Sequence, residues 1–285
     1  MLNHDTIAFI GSGTMAEAMI KGLLDHHLIE AEHIIASGPR KERGDALRER
    51  YHVRATTDNV EAARQADIVV LSVKPQILPE VLSELYDAPP QNALILSIVA
   101  GAKIRTISRG LGRRAVVRAM PNTPARVGRG MTVWTATPQI SEDQFEEARQ
   151  ILGALGDELY VKDEDYLDMA TALSGTGPAY VFLFMEALVD AGVHLGFSRR
   201  VAHQLVLKTM EGSVEIAKQT GLHPVELRNS VTSPGGTTAE ALYQLEKGGL
   251  RTVISKAIWA AYQKSRYLGG LSEEGGDKGG ERGET

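Results

Sequence analysis

The sequence predicts an α/β protein: an N-terminal Rossmann-type, doubly wound, mostly parallel sheet followed by an all-α dimerisation domain. Three observations carry this. Through the first half, short runs that are apolar on both faces alternate with amphipathic stretches, the pattern of strands covered on both sides by helices. After Lys162 the strand signals stop, and residues 166–268 read as helix. Within that region residues 179–185 are apolar on every side. Such a helix must be buried all round, either by a central place in its own domain or by a second subunit, and the small size of the helical domain favours the second subunit.

Each element has its own signal. Residues 7–10, 33–37, 67–73, 93–99 and 115–119 read as strands, with helices at 14–26, 41–51, 58–65, 77–85 and 104–110 between them. Two more strands are expected at 128–135 and 157–162. The helix between those two opens on Ser141-Glu142-Asp143-Gln144, a capping-box spacing. Asp163-Glu164-Asp165 reads as a hinge. A later helix starts at Pro178, a good first-turn residue, and Gly212, Ser213 and Ala217 on the next one permit close helix contact. The expected organisation is a dinucleotide-binding domain at 1–163, a helical dimerisation and substrate domain at 164–268, and a tail at 269–285. That tail is glycine and charge with almost nothing apolar, so it is expected to be disordered and without a chemical role.

Composition narrows the function. The chain has 285 residues, 43% of them hydrophobic, enough for two domains with their own cores. A net charge of −5 argues against a nucleic-acid partner. There is no cysteine, which excludes disulfides, a thiol nucleophile and cysteine metal sites. The N-terminus shows no basic segment followed by an apolar one. The longest apolar runs, such as residues 68–73, read as too short to cross a bilayer, so a cytoplasmic protein without membrane contact is expected. The histidines are scattered, no metal site is expected, and His203 reads as packed or exposed.

Gly11-Ser12-Gly13-Thr14-Met15-Ala16 follows a strand directly and opens a helix. Gly11 permits the tight turn, Gly13 lets backbone approach a pyrophosphate, and Ala16 keeps helix and sheet close. The second strand ends in Ala36-Ser37-Gly38-Pro39-Arg40, with Lys41 and Arg43 beyond. No carboxylate stands there to bind the ribose hydroxyls, whereas a hydroxyl and several cations are available for a 2′-phosphate. NADPH is therefore the expected cofactor, with NADH possible. Ligands of open parallel sheets bind at the carboxyl edge. Val73-Lys74-Pro75, residues 97–101 and Met120-Pro121-Asn122-Thr123-Pro124 should thus line the nicotinamide half, with Lys74 in a positioning role.

Two later motifs set glycines and a proline beside hydroxyls at a helix start: residues 173–180 (LSGTGPAY) and 233–238 (SPGGTT). Such starts leave N–H groups and hydroxyls free for a small anion. Thr237 and Glu240 also have the spacing of a capping box, with Thr237 as N-cap.

Taken together these residues resemble the pyrroline-5-carboxylate reductase family. The resemblance runs from residue 6 to about 268 and is strongest at RAMPNTPA (118–125), SGTGPAYVF (174–182) and SPGGTTAEAL (233–242). It implies a Rossmann domain, a helical domain that interlocks two subunits, and dimers that assemble as a pentamer of dimers. It also implies that NAD(P)H reduces the C=N bond of 1-pyrroline-5-carboxylate to L-proline. Carried over residue by residue, Ile10 to Met15, Ser37, Asn59, Ser72, Val73, Lys74, Pro75, Ile98, Val99, Ala100 and the hinge residue Glu164 fall on cofactor positions. Ser233, Gly236, Thr237 and Thr238 fall on positions that hold the substrate carboxylate and face its ring nitrogen. Two places depart from the family's pattern: residues 220–222 offer no carboxylate, and Gly38-Pro39 alters the turn near the ribose phosphate.

A protonated imine already accepts hydride well, so the site needs positioning more than a strong acid or base. Thr238 is the one side chain expected to act on the reacting nitrogen. Two rival readings stand beside this one. A hydroxyacid dehydrogenase of similar plan would want a lysine between residues 175 and 196, and none is there. A non-catalytic NADPH-binding protein would have no use for SPGGTT.

Overall fold

The computed structural model describes residue 2 and residues 5–277. The chain forms two compact units. The first runs through Thr176 and is rejoined by the chain from Ala261, and the second is Gly177–Ala260.

The first unit is built on an eight-stranded sheet in the order β3-β2-β1-β4-β5-β6-β7-β8. The strands are β1 Ile7–Ile10, β2 Ile34–Ser37, β3 Arg54–Thr56, β4 Ile68–Leu71, β5 Leu94–Ser97, β6 Val116–Met120, β7 Gly130–Ala136 and β8 Gly156–Tyr160. All pairings are parallel except β6 with β7. The helices are α1 Thr14–Asp25, α2 Lys41–Tyr51, α3 Asn59–Arg64, α4 Leu78–Glu84, α5 Ile104–Leu111, α6 Glu142–Gly153 and α7 Tyr166–Ala170. Every residue of β1, β2, β4 and β5 is buried. Ile7 and Phe9 enter one core with Met19, Leu23 and Trp134, while Ala8 and Ile10 enter the other with Leu71, Leu82 and Ile107. The period of two with both sides apolar is what the sequence showed, and it fixes a sheet covered on both faces. The capping box at Ser141 and Gln144 is formed.

Four features differ from the sequence reading or go beyond it. The strand β3 was not anticipated: it has three residues, Arg54 is exposed, and it joins the sheet edge through backbone pairing with β2 rather than by burying side chains. By packing, the first unit continues past the hinge at Glu164 to Thr176. A buried ionic network draws the intervening residues to the sheet. Arg118 of β6 and Asp168 of α7 are each 2% exposed. Arg118 donates to Asp168 Oδ1 at 3.2 Å and to Glu164 Oε1 at 2.8 Å, and Ser265 donates to Asp168 Oδ1 at 2.9 Å. Third, the last helix, α12 Leu250–Asp277, continues past residue 269, where disorder is expected. Extending an established helix needs no new nucleus, and Leu268 and Gly269 pack against Gly101, whose φ is +74°. The rest of that expected tail, residues 278–285, lies outside the described residues. Fourth, the helical run Tyr166–His194 is long and apolar enough to cross a membrane by length and composition. Gly175-Thr176-Gly177 breaks the apolar run in the sequence, and Thr176 is a bend between the π-helical turn and the next helix.

The second unit contains α8 Gly177–His194, α9 Arg199–Thr220, α10 Pro224–Ser230, α11 Thr237–Lys247 and the first part of α12. Helices α8 and α9 meet where a Cβ on Gly192 would stand 3.0 Å from that of Ala202. On the rest of α8, Val181, Phe182, Leu183, Phe184 and Leu188 are exposed, Phe182 by 62% and Leu183 by 66%.

Removing one partner of a buried ion pair leaves the other uncompensated. Asp168→Ala should therefore cost about 3–5 kcal/mol of stability, read as a lower midpoint in urea. A loss below about 1 kcal/mol, the value of an exposed pair, would show that water screens the network.

Candidate active site

The sheet order reverses between β1 and β4, the place where open α/β sheets bind ligands. There the chain leaves β1 at Gly11, with φ +100°. A Cβ on Gly11 would lie 2.8 Å from Val73 Cγ1 and 2.9 Å from the Ser72 backbone, so only glycine fits. Gly13 differs: a Cβ there would meet nothing within 4 Å. It is the N-cap of α1, no side chain caps the helix, and its first turn presents unpaired N–H groups. Open space over a positive helix end is the geometry a pyrophosphate requires. Gly38 comes close from β2, since a Cβ on it would stand 2.7 Å from Ser12 Oγ.

A cavity of about 720 Å³ opens over this loop and brings together Gly11, Ser12, Gly13, Arg40, Asn59, Ser72, Val73 and Lys74. It also takes in Gly38, Thr57 and Glu84, which were not assigned from the sequence. The Gly38-Pro39 turn was a visible signal, whereas Thr57 follows β3 and Glu84 ends α4 with no motif of their own. A smaller cavity of about 240 Å³ beside it is lined by Arg40, Lys41, Arg48 and Thr57, so Arg40 borders both.

Other assigned residues lie elsewhere. Ile10 and Ser37 are fully buried. The Ser37 hydroxyl donates to Asn59 Oδ1 at 2.7 Å, and Asn59 Nδ2 donates to Glu84 at 2.9 Å. Ser37 thus orients Asn59 and does not itself line the cavity. Thr14 begins α1 and is exposed, Met15 packs on the core, and Pro75 opens the short turn Pro75–Ile77. Ile98, Val99 and Ala100 follow β5, the strand next to β4 along the same edge, with Val99 buried. Glu164 is engaged by Arg118 and accepts from Ile104 N at 2.8 Å, capping α5. Arg43 is likewise taken: it donates to Ser12 O at 2.8 Å and to Glu17. It is not a free cation for a phosphate.

In the second unit Ser233-Pro234-Gly235-Gly236 forms a tight turn. Gly236 N donates to Ser233 O at 3.0 Å, and Gly235 has φ +70°, as a turn with proline then glycine at its centre requires. Helix α11 begins at Thr237, with Gly236 as N-cap and no side-chain cap bond. The expectation of Thr237 as N-cap is thus corrected: the extended backbone of Gly236, φ −82° and ψ 166°, occupies that place. The N–H groups of the first turn stay available beside the hydroxyls of Ser233, Thr237 and half-buried Thr238. The other glycine-rich motif does not offer this. Thr171–Gly175 is a π-helical turn in which Thr176 Oγ1 donates to Thr171 O at 2.9 Å. Asn122 donates to Ser174 Oγ at 3.0 Å, so these hydroxyls serve the fold.

Residues 164–268 match a family model described as pyrroline-5-carboxylate reductase dimerisation. Residues 6–101 match one described as NADP oxidoreductase, coenzyme F420-dependent. The chain is 42% identical over 263 residues to a pyrroline-5-carboxylate reductase of Synechocystis, covering 92% of this chain and 98% of that one. It is similar to the solved Plasmodium falciparum pyrroline carboxylate reductase with NADP bound, with a TM-score of 0.86 and 34% identity over 93% of this chain and 98% of that one. For the 1-pyrroline-5-carboxylate reductase of Streptococcus pyogenes the TM-score is 0.85 and the identity 31%, over 94% of this chain and 100% of that one.

The two loop glycines should separate in experiment. Gly11→Ala should lower stability by about 1–3 kcal/mol, from clash and positive φ, and lose dinucleotide binding with it. Gly13→Ala should change stability by about 1 kcal/mol or less while still weakening dinucleotide binding. Melting temperature and calorimetric titration check both. Undiminished binding by Gly13→Ala would mean that no ligand approaches there.

Proposed function

The chain belongs to the pyrroline-5-carboxylate reductase family, and on that premise we propose that it reduces the C=N bond of 1-pyrroline-5-carboxylate to L-proline with NAD(P)H. The observation that carries the reading is a pair of uncapped helix starts in one chain. One, at Gly13, is open towards a cavity, and the other, at Thr237, stands among hydroxyls. The first suits a dinucleotide diphosphate and the second a small carboxylate.

The cofactor, when bound, supplies the hydride. The chain's own residues do the rest. The amides of Ser12, Gly13 and Thr14 hold the diphosphate, and Arg40 meets the 2′-phosphate. Lys74 and Pro75, with Ile98 to Ala100, position the nicotinamide half along the sheet edge. Ser233, Gly236 and the Thr237 amide bind the substrate carboxylate. The Thr238 hydroxyl donates to the ring nitrogen, where the electron pair of the C=N bond arrives as hydride adds to carbon. No strong acid is needed, because a protonated imine already accepts hydride well.

The exposed apolar residues of α8 are covered, in this reading, by a second subunit rather than by lipid. The match of residues 164–268 to a dimerisation model supports that choice. The reading extends to a cytoplasmic enzyme whose dimers assemble as a pentamer of dimers, with no nucleic-acid partner.

Three outcomes are expected. Thr238→Ala should lower turnover by roughly 10²–10³, the value of one positioned donor of about 2–4 kcal/mol, with NADPH affinity unchanged and Thr238→Ser restoring much of it. Near-normal turnover in Thr238→Ala would reduce Thr238 to a binding residue. Arg40→Ala should raise the KM for NADPH and leave that for NADH nearly unchanged; equal losses would remove the 2′-phosphate assignment. Light scattering at micromolar concentration should give a dimer or larger, and a monomer would refute the subunit interface.

A further inference from the structure

The carbonyl groups of the glycine-rich loop are all held from behind. Gly11 O accepts from Ser72 Oγ at 2.8 Å and Ser12 O from Arg43 Nε at 2.8 Å. Gly13 O accepts from Glu17 N at 3.0 Å and, at 3.4 Å, from Arg43 Nη2. In a planar trans peptide the C=O of one residue and the N–H of the next point in opposite directions. Fixing these three oxygens therefore aims the N–H groups of Ser12, Gly13 and Thr14 the other way, from a loop that lines the cleft. Arg43 stands on α2, thirty residues away from Gly13, and one guanidinium serves two consecutive carbonyls.

Its remaining bond has a second effect. Arg43 Nη2 donates to Glu17 Oε2 at 2.5 Å, while Arg50 and the Tyr51 hydroxyl donate to Glu17 Oε1 at 2.9 and 3.0 Å. Glu17 is the acidic residue in the first turn of α1, where a bare carboxylate would repel a diphosphate. Burial pushes its pKa up, but the bonds from Arg43 and Tyr51 and the charges of Arg43 and Arg50 outweigh this and hold it below the usual carboxylate range. Glu17 is thus ionised and neutralised in place.

We infer that Arg43 is a positioning residue for the diphosphate of the cofactor: it locks the direction of the loop amides and cancels the charge of Glu17, leaving the 2′-phosphate to Arg40. This rests on the dinucleotide reading given above. Arg43 then acts on the part that NADPH, NADH and ADP-ribose share, and Arg40 on the part that only NADPH carries.

The test uses the full chain and calorimetric titration with NADPH, NADH and ADP-ribose, with melting temperatures taken in the absence of ligand. Arg43→Met should weaken all three by a similar factor, about 10–100-fold for the loss of charge-assisted bonds. Arg43→Lys keeps the charge without the planar fork and should fall between wild type and Arg43→Met. Adding Glu17→Gln to Arg43→Met should recover part of the lost affinity, because the unneutralised carboxylate is gone. A loss confined to NADPH would make Arg43 a 2′-phosphate ligand and overturn the inference. So would unchanged affinity, or an Arg43→Lys variant that folds as well as wild type and binds all three equally well. Wild-type protein that binds neither dinucleotide would bring down the cofactor reading first, and this inference with it.

Discussion

At the carboxyl end of β1 the chain passes so near the end of β4 that no side chain fits between Gly11 and the Ser72 backbone. Much of the nucleotide cleft follows from that passage. It sets Ser72 Oγ against the Gly11 carbonyl, lets α1 start immediately, and leaves the positive end of that helix at the reversal of the sheet order. β1 and β4 are buried on both faces, so neither strand can shift to make room. The cleft is rigid because the sheet beneath it is packed, and packed interiors do not deform gradually.

A different kind of bond keeps the sheet and the following helices in one unit. Arg118, Asp168 and Ser265 are nearly excluded from water, and Lys103 adds contacts to Asp165 at 3.1 Å and Asp168 at 3.5 Å. Such groups are costly to bury singly and are tolerated because each has partners. The arrangement is directional as well as stabilising. Glu164 ties the start of α5 to the start of α7 through Ile104 N and Arg118. The loop after β5 and strand β6 are held by the same few side chains.

Periodicity made most of the first unit legible. Residues 41–51 coincide with α2 to the residue, since polar helix formers there follow a proline-containing turn. β3 was hidden because a strand held by backbone pairing alone leaves no apolar trace. The cleft was legible at Gly11, where local geometry demands glycine, and at Gly13, where the motif leaves open space over the helix start. It was not legible at Ser37, Arg43 or Glu164, whose side chains look free in sequence and are engaged by residues far along the chain. A capping motif misled at Thr237 because two adjacent glycines allow the cap to sit one residue earlier. Spacing reports what a side chain can reach; only the fold decides what reaches it first.

The first unit is also discontinuous in the chain, with its last part supplied from Ala261 onward. Ser265 and Leu268 therefore reach Asp168 and Gly101 only after the whole helical segment between has been made. During synthesis at about 5–20 residues per second, the sheet can form early, but its buried ionic network stays one donor short for several seconds. The order of translation thus delays the final closure of that core until the chain from Ala261 onward has been made.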